Sequence, residues 1–235
     1  MEPRTETLRD EYRMRFGQAE HYRDRVWKIL CTEYFRQFVD PSACVLDLGA
    51  GWGEFINNVS AAKKFAMDLN PDTGLRLSPG TQFLQQDCSQ PWELPPDSLD
   101  VVFTSNFLEH LPDKAHVERT MAEARRCLKE DGLLICLGPN VKYIPGAYWD
   151  FWDHYVPLTE RSLAELLQLE GFRVERSLGR FLPYTMSTGR TPPLIFLRLY
   201  LRLPIVWPLF GKQFLVIGRK RASNNPERPS PRDRS

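Results

Sequence analysis

Residues 45–55 read VLDLGAGWGEF. A short apolar run carries Asp47 and ends on three glycines at alternate positions, Gly49, Gly51 and Gly53, with Glu54 immediately behind. A glycine-rich turn that closes a strand and opens a helix is a common cradle for a nucleotide cofactor. Dinucleotide sites use a G-x-G-x-x-G spacing and rest a pyrophosphate on the helix N-terminus. Here the spacing is G-x-G-x-G, and a carboxylate stands on each side. Two negative charges roughly 4 Å apart in a partly dry cleft cost several kcal/mol. The turn therefore opposes a pyrophosphate and favours a ligand that carries positive charge.

Outward from this turn, apolar runs recur between turn residues: Cys44–Leu48, Lys64–Asp68, Gln82–Gln86, Leu99–Thr104 and Gly132–Leu137. Helical patterns lie between some of them. Over Asp113 to Glu130, Val117, Met121, Ala124 and Leu128 form one stripe. A second helix is predicted over Thr159 to Glu170, with Gly171 as its C-terminal cap. Phe172–Leu178 and Gln213–Lys220 read as the last two strands. Alternating strands and helices predict an α/β protein of three layers, a parallel sheet covered by helices on both faces. Residues 5–38 read as charged, amphipathic helix interrupted near Gly17. The expected organisation is a helical cap over residues 1–40 and a main domain over 41–222. The Pro- and Ser-rich tail, 223–235, is expected to be disordered.

Two further acidic positions fall where open α/β sheets bind ligands, at the carboxyl ends of strands. Asp68 lies 21 residues beyond Asp47, about the distance at which a second-strand carboxylate meets ribose hydroxyls. Asp87, followed by Cys88, ends the third run and is placed to accept from an adenine amino group. A nucleoside bearing positive charge and no phosphate fits all three positions. S-adenosylmethionine, with a sulfonium and an α-ammonium, is such a ligand.

Composition narrows the partners. The 235 residues hold 31 Lys and Arg against 30 Asp and Glu, so no net charge draws the chain to nucleic acid. The five cysteines are scattered, without CxxC or metal-ligand spacing. No metal is expected, and the set suits a reducing compartment. The charged N-terminus lacks the apolar run of a signal peptide, and a cytoplasmic location is the expectation. The most apolar window, PLIFLRLYLRLPIVWPLF at 193–210, is broken by two arginines and two internal prolines.

On VLDLGAGWGEF, Asp68, the Asp87–Cys88 pair, SLDVVFTSNFLEHL, GLLICLGPN and the later GF, the sequence resembles the class I, Rossmann-like S-adenosylmethionine-dependent methyltransferases. The resemblance covers roughly residues 40–180. It implies a three-layer, Rossmann-like α/β fold whose seven-stranded sheet is mostly parallel, with the last strand antiparallel. It also implies cofactor contacts at Asp47, Gly49, Gly51, Gly53, Asp68, Asp87, Cys88 and Asn106. Within the family, the LEHL segment is similar to small-molecule methyltransferases. DHYVPLT with its helix and LEGF is similar to bacterial members tied to sugar and cell-surface polysaccharide pathways. Strand four lacks the proline pair that accompanies methylation of amide or adenine nitrogens in this superfamily, which counts against nucleic acid as acceptor.

The expected reaction is therefore methyl transfer to a small acceptor, with O-methylation of a sugar or sugar-like intermediate as the leading reading. Deprotonating a hydroxyl calls for a base, and His154 and His110 are the candidates, His154 foremost. His21 and His116 are read as surface residues. The aromatic cluster from Tyr143 to Tyr155 is a candidate wall for the acceptor. Residues 193–210 are open to three readings: core, dimer contact, or a membrane-facing element serving a lipid or isoprenoid-quinone acceptor. The rival outside enzymes is a non-catalytic cofactor-binding subunit.

Overall fold

In the computed structural model, residues 20–184 and 191–222 are described. The predicted N-terminal residues up to 19 and the predicted tail 223–235 lie outside them. Seven strands form one sheet: β1 Cys44–Leu48, β2 Lys63–Met67, β3 Thr81–Leu84, β4 Leu99–Ser105, β5 Leu128–Pro139, β6 Phe172–Leu182 and β7 Gln213–Lys220. Their order is β3-β2-β1-β4-β5-β7-β6. Strands β3 to β5 pair in parallel, and the last strand, β7, runs antiparallel between β5 and β6.

The central strands read as continuous apolar runs because both faces are covered. One face packs α1 (Glu20–Ile29) and the turns after it, through Trp27, Phe35, Phe55 and Phe103. The rings of Phe55 and Phe103 stack there with centroids 3.6 Å apart. The other face packs α3 (Lys114–Cys127) and α4 (Glu160–Leu169), through Met121, Leu163 and Leu167 against Val102 and Phe214. Each fully buried side chain of this size contributes about 1.5–3 kcal/mol.

Local chemistry sets the helix ends. The Asp113 carboxylate accepts the His116 amide to cap α3, and Thr159 and Ser162 form a reciprocal capping box on α4. Gly171 ends α4 at φ +86°, with its amide on Gln168 O at 3.0 Å. Helix α3 stops at Cys127, earlier than the predicted Glu130. Leu128 is buried and belongs to the apolar stripe, yet its backbone is extended (ψ 139°) and pairs with Leu99. The N-terminal helix also ends early, at Ile29, in a wide π turn (Leu30–Tyr34). Residues 194–210 are not one helix. Leu203 and Pro204 break them into α5 (Leu194–Arg202) and the single turn α6 (Trp207–Phe210).

Strand order reverses between β1 and β4, where the connection from β3 crosses back over the sheet. A crevice opens at such a point beyond the carboxyl ends of the strands. The glycine turn after β1 and Ser105–Asn106 at the end of β4 form its floor.

Candidate functional site

The glycine turn owes its shape to backbone freedom. Gly49, Gly51 and Gly53 all take positive φ (+71°, +55° and +75°), a region that only glycine visits routinely. At Gly49 there is also no room: a Cβ would sit 2.2 Å from the Phe107 ring. The amides of Gly49 and Ala50 donate to Met67 O at 2.9 and 3.1 Å, and Gly53 donates to Ala50 O at 2.8 Å. The Gly51 amide donates to the Asp68 carboxylate at 2.7 Å. These donors are engaged within the protein, a reason beyond charge why the turn does not offer a phosphate cradle. The helix it opens, α2 (Glu54–Asn58), is barely one turn long.

A ring of carboxylates surrounds this turn. Asp47 is buried, and burial together with the nearby Glu54 holds its carboxyl well above the usual range, although the Ile56 amide donates to it. Glu54 is buried too. Desolvation raises its pKa, against the pull of Arg23, whose guanidinium reaches in from α1 to 2.8 Å. Asp68 accepts the Gly51 amide on one oxygen and the Asn70 amide at 2.8 Å on the other. Burial nevertheless raises its pKa. The Leu69 amide also donates toward this carboxylate, whose two oxygens still have acceptor capacity left. Asp87 accepts the Ser89 amide and hydroxyl on one oxygen, both at 2.8 Å. Cys88 is buried with its sulfur 3.4 Å from Thr120 Oγ1, and burial pushes the thiol up to about 12. It is not a nucleophile near neutral pH.

At the end of β4, Asn106 takes φ +48° and donates its backbone amide to Leu137 O at 2.9 Å. Its Nδ2 donates to Ser105 Oγ at 3.0 Å, and its buried Oδ1 has no partner among the described residues. The following turn is latched to the aromatic loop: Glu109 O accepts the amides of Tyr155 and Val156 at 2.8 and 3.1 Å. This latch brings His110 and His154 together, with ring centroids 4.8 Å apart. His154 is buried, stacked on Phe151 at 4.9 Å and edge-on to Tyr148 at 4.7 Å. His110 Nδ1 lies 3.0 Å from Asp153 Oδ2. Burial works against charge on His110, but the hydrogen bond to Asp153 and the charges of Glu109 and Asp153 prevail and raise its pKa. The Glu109 carboxyl is fully buried, and desolvation pushes it up to about 7 against the charge of His110. One donor atom each from Glu109, His110 and His154 lies within 4.8 Å of the others, a trio that the scattered sequence spacing conceals.

One cavity of about 270 Å³ unites these groups. Asp47, Gly49, Gly51, Asp68, Asp87, Cys88, Asn106, His110 and His154 all line it. Gly53 does not line it, and stands behind the turn as the N-cap of α2. His116, expected at the surface, is half-buried and lines the cavity, its ring nitrogen 2.7 Å from Asp113 Oδ1. Asp153 and Phe151 line it from the Tyr143–Tyr155 segment, while sequence reasoning missed Arg23, Trp27, Glu109, Tyr184 and Gln213. Only Glu109 carried a local signal, a carboxylate within an apolar stretch.

Fold and site together define a class. The chain belongs to the S-adenosylmethionine-dependent methyltransferases of class I: residues 19–177 match the family model described as "Methyltransferase domain". The cofactor of that family is S-adenosylmethionine. A curated relative from Mycolicibacterium smegmatis, described as a probable S-adenosylmethionine-dependent methyltransferase, is 36% identical over 90 residues, 37% of this chain. The match spans about a third (34%) of that relative's length. Among solved structures, a SAM-dependent methyltransferase from Archaeoglobus fulgidus aligns with TM-score 0.64 at 20% identity, over 87% of this chain and 99% of that one. A chain from the Haloferax volcanii complex between the Trm112 methyltransferase activator and a methyltransferase aligns with TM-score 0.64 at 18% identity. It covers 88% of this chain and 95% of that one. The [4+2]-cyclase SpnF aligns with TM-score 0.57 at 16% identity, over 85% of this chain and 81% of that one.

Proposed function

We propose that the cavity binds S-adenosylmethionine at its glycine-turn end and a small hydroxyl-bearing acceptor, of sugar or sugar-like type, at its histidine end. The observation that carries the cofactor half is the carboxylate ring, which suits a cation and not a pyrophosphate. In this reading Asp47 and the turn at Gly49 and Gly51 hold the methionine end. Gly53 shapes the turn from behind. Asp68 accepts the ribose hydroxyls on its remaining lone pairs, Asp87 takes the adenine amino group on its outer oxygen, and Cys88 packs beside the base. Asn106 borders the sulfonium. The bound cofactor supplies an electrophilic methyl group, so the protein's part is to position the acceptor and take up its proton.

The two imidazoles divide that part. His110 is clamped by Asp153 beside Glu109, and its Nδ1 is engaged by the Asp153 carboxylate at 3.0 Å. It acts as a positioning residue for its neighbour. His154 is then the base. Phe151 and Tyr184 supply apolar walls, and the buried Gln213 Oε1, which has no partner among the described residues, offers an acceptor for a second hydroxyl. Stacking walls with inward-facing oxygens suit a polyol ring. A lipid-type acceptor is the second reading, favoured by the exposed apolar face of α5. Because the SpnF cyclase shares the fold, transfer itself needs a direct test. Labelled methyl from the cofactor should pass into sugar acceptors in preference to quinone or lipid acceptors. Transfer only to the latter would replace the sugar reading, and no transfer to any extract would favour the partner-subunit reading.

Two outcomes follow for the cofactor. Asp68→Ala is expected to weaken S-adenosylmethionine binding at least about tenfold, roughly 1.4 kcal/mol. Calorimetry checks this, and unchanged affinity would remove the ribose assignment. The second outcome concerns pH. Asp47, Asp68 and Glu109 all have raised pKa values in the free protein, Glu109 to about 7. A cation placed beside them lowers those values, so binding releases protons and affinity rises with pH from about 5 to 7. The neutral thioether of S-adenosylhomocysteine should show a shallower slope. For the unliganded fold the sign is opposite. A carboxyl raised above its ordinary 4.5 contributes stability below that pH, lost as pH climbs through about 7. A flat affinity profile would show that the carboxylates do not face the cation.

A further inference from the structure

We propose that α5, α6 and the turn between them form a docking surface for an anionic lipid bilayer. Among the described residues, seven of the thirteen exposed large apolar side chains fall between Ile195 and Phe210. Phe196 is 61% exposed, Leu209 71% and Ile205 82%. A helix kept in water does not ordinarily present such a face.

The face is fixed in place. Leu201 and Trp207 are buried on its inner side. Tyr200 OH donates to Phe181 O at 2.7 Å, and Trp207 Nε1 donates to Tyr200 O at 2.8 Å. The outward residues are therefore held outward and not waiting to fold into the core.

Charge selects the occupant. From residue 194 through 212 the sequence contains no Asp or Glu, and its cations there are Arg198, Arg202 and Lys212. Arg198 and Arg202 share the single carboxylate of Glu33, at 3.1 and 3.8 Å, and remain 52% and 73% exposed at the side chain. Lys212 is exposed beyond α6. Two copies meeting through this face would set like charges together, whereas anionic headgroups would neutralise them. Apolar side chains bordered by arginines and lysines are what an interfacial helix needs. No helix among the described residues is long and apolar enough to cross a membrane, so the contact is with the surface. This inference stands apart from the identity of the acceptor.

The test sediments the full chain with vesicles of phosphatidylcholine containing about a third phosphatidylglycerol, and with pure phosphatidylcholine. Binding should favour the anionic vesicles and fall as salt rises from about 0.1 to 0.5 M. The triple variant Phe196→Ser, Ile205→Ser, Leu209→Ser should partition at least tenfold more weakly. Its melting temperature and cofactor affinity should stay unchanged, since the three side chains are exposed and none lines the cavity. Absence of binding to either vesicle, or equal binding by the triple variant, overturns the proposal. So does a wild-type dimer in sedimentation velocity that the triple variant converts to monomer without any lipid affinity.

Discussion

Replacing His154 by alanine is expected to lower turnover about a hundredfold or more, while cofactor affinity stays within about threefold. A positioned base contributes roughly 10²–10⁴ in rate, and the ring contacts of His154 to His110, Tyr148 and Phe151 involve none of the groups assigned to the cofactor. The ring is buried against Phe151 and Tyr148, so part of the alanine effect comes from a hole in the loop. His154→Gln keeps most of the volume and removes the base. Both variants should lose turnover alike, and both should lose the acidic limb of the pH–rate profile. Turnover retained within a few-fold in either would leave transfer to proximity alone, with the acceptor's own acidity sufficient. His110 should behave differently. Cutting its tie to Asp153, by Asp153→Asn, should shift the pH profile without abolishing turnover, because His110 then orients its neighbour less firmly.

The second large effect is expected at Gly49. Alanine there must hold φ near +71°, at about 1–2 kcal/mol, and must displace Phe107, whose Cγ and Cβ lie 2.2 and 2.8 Å from the new methyl. Those atoms sit next to the Phe107 backbone, so a small rotation does not clear them. Overpacking of this kind costs about 1–3 kcal/mol. For a chain of this size the sum corresponds to a melting-temperature drop of roughly 4–20 °C. Cofactor affinity should fall at least tenfold, since the turn and Asn106 shift together. Gly80→Ala separates the two causes. Gly80 has φ +89°, yet a Cβ there meets nothing within 4 Å, so it carries the conformational strain alone. Equal losses at both positions would show that Phe107 yields and that crowding is unimportant. Phe107→Ala should recover part of the Gly49→Ala loss, and the double-mutant cycle measures how much.

The reach of sequence reasoning can be seen in particular strands and contacts. Strands β1 and β7 coincide with their predicted runs because apolar, β-branched stretches are bounded there by turn residues. The end of α3 did not, because Leu128 satisfies a helical stripe and a strand equally well, and pairing with Leu99 across 29 residues decides between them. Arg23 and Gln213 lie far along the chain from the glycine turn on either side, and nothing local marks them as cavity residues. The apolar window at 193–210 was visible, but which of its sides faces outward was not, since leucine and isoleucine occupy both sides of α5 and periodicity shows no contrast.

By itself, then, the sequence determined the parallel α/β sheet, the glycine-rich turn after its first strand and the acidic residues near three strand ends. These follow from apolar runs bounded by turn residues, from the spacing of the glycines, and from the place of each carboxylate along or just after its apolar run. Only the tertiary structure decided that the turn's amides are engaged internally. The same holds for the pairing of His110 with Asp153, 43 residues away, and for the outward face of α5. The reason is common to all three: hydrogen bonding, burial and pKa are set by neighbours in space, and a side chain's neighbours in space are not written in its neighbours along the chain.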